Sequence, residues 1–174
     1  MGLYAWWRQR RGGGPRAGND AGPLTRLGMR PGTQVAGLDF YQAIESLRHW
    51  KLRLAAYVRG EARPSQGWSE VGRDDRCVLG RWLQEASSAH PLQAERLARL
   101  RAQHTALHQE AEAVVRLADR GQRDAALHAL RHGAFAQASH ATVAGLSELF
   151  VSLHEPASPG YAAPGATSPR NQKP

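Results

Sequence analysis

An all-α fold, an antiparallel four-helix bundle flanked by disordered N- and C-terminal tails, is what three features of the chain predict. Apolar residues recur at steps of three and four over four separate stretches. Short segments containing Gly or Pro divide those stretches, as the connections of a bundle would. No alternating β-type pattern of useful length competes with them.

Residues 1–37 are rich in Gly, Pro and Arg, as in Gly12-Gly13-Gly14-Pro15 and Arg30-Pro31-Gly32, and read as a disordered basic arm. The packed part is expected over 38–154 and a second disordered tail, rich in Pro, Ala, Gly and Ser, over 155–174. In the first helix, about 38–59, Phe40, Ile44, Leu47, Lys51, Leu54 and Val58 form the stripe, widened by Trp50 and Tyr57. Gly60 and Pro64 are its stop signals. A second helix is expected from 75 to 87, capped by an Asp and carrying Cys77 in its first turn. Pro91 opens the third, where Leu97, Leu100, His104, Leu107, Ala111, Val114 and Ala118 hold the spacing and place His104 on the buried stripe. Gly121 ends it, and a fourth runs from Ala125 to about Leu153.

The net charge of +8 is unevenly spread. Residues 1–37 hold six Arg and one Asp, whereas the expected bundle holds 15 basic and 13 acidic side chains. The folded part is thus no nucleic-acid binder by charge, and the Arg8-Gln9-Arg10-Arg11 run reads first as a solvated tail. Trp6 and Trp7 beside it suggest at most a brief contact with a membrane interface. No stretch approaches the roughly 18 consecutive apolar residues of a membrane span, and the N-terminus lacks the apolar core of a secretion signal. One cysteine permits no disulfide within the chain, and its thiol suits a reducing compartment, so the cytoplasm is expected.

Cys77 is followed by His104 and His108, four apart and hence on one face of a helix. One thiolate and two imidazoles form a zinc-like donor set. His128 and His132 repeat the spacing on the last helix, so a pair alone more often means solvated or satisfied imidazoles. The first pair differs in company: an unpaired imidazole on a core stripe is costly to bury. Glu110 and Glu112 follow the pair at spacings unlike the His-Glu-x-x-His arrangement of metallohydrolases, and no enzyme is expected. His90, His140 and His154 read as surface or capping residues, and Trp82 as a packing residue.

Trp50-Lys51-x-x-Leu54, Cys77-x-Leu79-Gly80-x-Trp82-Leu83 and His104-x-x-x-His108, in that order on three helices, resemble the chemoreceptor zinc-binding (CZB) domain. The resemblance covers about 38–154. It implies a bacterial signalling domain, often dimeric, found on chemoreceptors or cyclic-dinucleotide enzymes or standing alone. It also implies zinc held by three histidines and this cysteine, with metal occupancy or thiolate oxidation altering the bundle. The first of those histidines should stand three before the tryptophan, and Leu47 stands there. His49 lies two residues further on, a rotation of about 200°. Three outcomes stay open: Cys77, His104 and His108 bind zinc with water or another side chain; the first helix shifts to recruit His49; or the site is degenerate and the bundle serves as a metal-free dimerisation or interaction module. Without an output module in these 174 residues, a signalling partner in trans is expected.

Overall fold

The structure is a computed structural model that describes residues 22–62 and 70–154. Among the described residues the long helices are α1 (Phe40–Arg59), α2 (Val78–Ala89), α3 (Ala94–Asp119), α4 (Arg123–Arg131) and α5 (Ala134–His154). There is no strand among the described residues, only an isolated bridge between Val35 and Leu38. The Arg8–Arg11 run, Trp6, Trp7 and the tail from Glu155 lie outside the described residues.

Long α3 is the centre of the bundle and touches every other helix. Its direction relative to α5 follows from paired positions. Ser152 Oγ donates to Gln93 Oε1, just before α3, at 3.1 Å, and Phe135, at the other end of α5, shares a cluster with Leu107, Val114 and Val115. The two helices are therefore antiparallel. Against α1, Phe150 meets Phe40 with ring centroids 5.5 Å apart and Phe135 meets Trp50 at 6.0 Å, which is again antiparallel.

Helix α1 begins where Asp39 accepts the Gln42 N–H at 2.8 Å and ends at Gly60, whose φ of +77° is the left-handed stop expected of glycine. The expected fourth helix is two, divided at His132 and Gly133. A Cβ on Gly133 would lie 2.8 Å from the Ala129 Cα, so the break brings chain onto chain and only glycine fits. The second helix also differs from expectation. Asp74–Arg76 form a 3-10 turn, and Cys77, not an Asp, caps α2 by accepting the Gly80 N–H on Sγ at 3.2 Å.

The packed chain starts upstream of residue 38. Leu24, on a helical turn at Pro23–Arg26, and Met29 are buried with Leu38 and Phe40. Trp82 fastens this approach: its indole N–H donates to the Ala36 carbonyl at 2.8 Å while its ring meets Phe40 edge-on. Trp82 is a packing residue, as its sequence context suggested.

Burial divides into two apolar clusters. One holds Phe40, Ile44, Leu83, Leu97, Leu100, Leu146 and Leu149; the other holds Trp50, Leu54, Leu107, Ala111, Val114, Leu130 and Phe135. Half-buried Leu47 packs against both. On α3 the residues between Leu100 and Leu107 include His104, so the core is interrupted by imidazole where the clusters meet.

Candidate metal centre

Cys77, His104 and His108 converge at that interruption, with one donor atom from each lying within 4.8 Å of the others. Cys77 Sγ is 3.1 Å from His104 Nε2, and the two imidazole centroids are 4.7 Å apart. His104 and His108 are buried, as the stripe required, and Cys77 is partly so. Helix spacing aligns the histidines, and the cap at the start of α2 brings in the sulfur. A three-donor set of this chemistry leaves a fourth position of a zinc tetrahedron to water or another group.

The surroundings orient these side chains. His108 Nδ1 donates to the Val71 carbonyl at 2.6 Å, which leaves Nε2 as the basic nitrogen turned to a metal. Trp50 lies 5.2 Å from the same ring. Thr105 Oγ1 donates to the Asp74 carboxylate and ties the 3-10 turn to α3. Gly80 permits the approach: a Cβ there would lie 1.9 Å from the Asp74 carbonyl oxygen and 3.2 Å from His104 Cε1. Val71 and Asp74 are site residues that motif reasoning missed. A backbone carbonyl has no sequence signal, and Asp74 next to Asp75 reads as a helix cap.

Electrostatics favour uncharged side chains before metal binds. Burial pushes the Cys77 thiol up to about 11, against N–H groups of α2 that lower it. Burial, then the neighbouring His108, pulls His104 down to about 4, and burial lowers His108. His104 Nδ1 has no hydrogen-bond partner among the described residues. A half-buried thiol beside two neutral imidazoles, one atom of which is unsatisfied among the described residues, is an uneasy core but a suitable cation site. The residues present fit zinc.

The other candidates are placed differently. His49 is exposed, and its Nδ1 lies 2.8 Å from the Glu45 carbonyl one turn back. It is not brought together with the three donors. Leu47, at the first-ligand position that the resemblance implies, lines a cavity with Cys77 and His108. His128 and His132 are exposed on and just after α4, with centroids 5.8 Å apart. His90 caps α2, His154 stacks on Phe150, and His140 is exposed.

A bundle that brings a partly buried thiol and two buried imidazoles to one point defines the class: a helical domain with a Cys-His-His cluster that could hold a metal ion. The family model described as the chemoreceptor zinc-binding domain matches residues 48–115 of the chain. It spans all three donors and begins immediately after Leu47. No curated protein and no solved structure matches the chain. Among the described residues no helix is long and apolar enough to cross a membrane.

Proposed function

We propose that the protein is a zinc-dependent sensory module of bacterial, cytoplasmic signalling, not an enzyme, that reports metal or oxidant to a separate signalling protein, as a homodimer or a single chain. The convergence of Cys77, His104 and His108 in a segment that a zinc-binding family model matches carries this reading. Cys77 comes from the start of α2 and the histidines from α3, so a shared ion favours one arrangement of these helices by its differential binding free energy. His108 extends the link to the backbone at Val71.

An oxidant input follows from the sulfur. With its pKa near 11, metal-free Cys77 is a poor nucleophile at neutral pH. As a ligand to zinc Cys77 would lose its proton to solvent and be held as thiolate, and oxidation of that sulfur by peroxide would remove a donor. Treating the zinc-loaded protein with hydrogen peroxide while following free zinc and free thiol tests this. The expected result is loss of about one zinc for each thiol oxidised, with reuptake after reduction. Thiol loss with zinc retained, or a thiol inert in the zinc form, rules out the redox role.

Leu47 favours a second reading, a metal-free bundle kept for its protein contacts. It bridges both apolar clusters and supplies no donor. Melting and self-association that ignore zinc would support that reading.

A further inference from the structure

A cavity of about 190 Å3 adjoins the donors, with Cys77 and His108 in its lining. Its apolar wall comes from Leu47 and Trp50 of α1 and from Val78 and Leu79 of α2. A dry apolar cavity of about 150 Å3 holds benzene, so this one has room for a ring and a small head group.

Three charged side chains also line it. The Asp39 carboxylate accepts the N–H groups of Gly32 at 2.7 Å and Gln42 at 2.8 Å, and is held against the positive end of α1. Arg76 gives one nitrogen to both Glu70 oxygens, at 2.8 and 2.7 Å. Arg53 is half-buried and has no ion-pair or hydrogen-bond partner among the described residues. Gln34, Gln42, Ser46 and His49 add neutral polar groups to the lining. One uncompensated guanidinium beside the apolar side of this cavity selects an anion with an apolar body.

We propose that the cavity is a binding site for small monocarboxylates with a body of about benzene size, the carboxylate paired with Arg53 and the body against Leu47, Trp50, Val78 and Leu79. The site does not require metal. Zinc on one thiolate and two neutral imidazoles carries a residual positive charge, and an anion beside it binds more tightly when the metal is present.

Calorimetric titration of the full chain with sodium benzoate, before and after zinc loading, tests the proposal. Saturable one-to-one binding is expected, with benzyl alcohol, a neutral ligand of the same body, about tenfold weaker. Arg53→Gln should weaken benzoate about tenfold, and Leu47→Trp, which fills the cavity, should abolish binding while both variants melt cooperatively. Absence of saturable benzoate binding to folded wild type, or equal affinity in Arg53→Gln, overturns it. Zinc stoichiometry measured on the same samples keeps the two ideas apart: benzoate bound by a chain that takes no zinc upholds the cavity and removes the metal reading.

Discussion

At the scale of single residues, His104 decides how the metal-free protein behaves. Its ring is buried with Nδ1 unsatisfied, and its pKa near 4 lies below that of an unfolded histidine. Below about pH 6.5 the unfolded chain takes up a proton that the native ring refuses. Stability is therefore complete above that pH and is lost as pH falls towards 4. The loss at His104 is on the order of 3 kcal/mol. Urea denaturation of metal-free protein at stepped pH should show it, and His104→Leu should flatten the pH dependence while leaving neutral-pH stability equal or higher. A His104→Leu chain much weaker at pH 7 would contradict this account of the buried imidazole.

At the scale of elements, α2 depends on one glycine. Gly80 donates to Cys77 Sγ and lets the helix lie against the Asp74 carbonyl and the His104 ring. Gly80→Ala should cost about 2–3 kcal/mol in chemical denaturation and weaken metal binding together with stability, whereas alanine at Gly121, which meets nothing within 4 Å, acts only through its φ of +75°. The stripes of α1 and α3 were legible because a period near 3.6 repeats over many turns. Trp50, Leu54, Leu97, Leu100, Leu107 and Val114 are buried as that period requires. The break at Gly133 was not legible, since apolar residues continue on both sides and the reason for the glycine is contact with Ala129. The cap at Cys77 was hidden for a similar cause: two aspartates just upstream offer the ordinary cap, and the chain uses them in a 3-10 turn instead.

At the scale of the whole molecule, the site lies where two apolar clusters meet, with Leu47 reaching both. Cys77, His104 and His108 could be read from sequence because the order of their motifs resembles the zinc-binding family; spacing and residue type alone favoured satisfied imidazoles and an inert thiol. Their support could not: the Val71 carbonyl, the Asp74–Thr105 tie and the strap of residues before α1 depend on contacts between distant segments. His49 shows the limit from the other side, a histidine close in sequence to the expected ligand position that lines the same cavity as Cys77 and His108 but is not one of the three clustered donors. The 22–37 segment looked like tail by composition, yet Leu24 and Met29 enter the core. A few apolar residues among Gly, Pro and Arg carry no period to announce this.

The most direct test of the account is zinc stoichiometry and affinity by competition with a chromophoric chelator, on wild type and on Cys77→Ala, His104→Ala, His49→Ala and Leu47→His. The account predicts one zinc per chain, lost with Cys77→Ala or His104→Ala, unchanged in His49→Ala, and tightened at least about tenfold in Leu47→His as a fourth protein donor enters the cavity wall. Wild type without specific zinc, or zinc binding that survives loss of both Cys77 and His104, would contradict it.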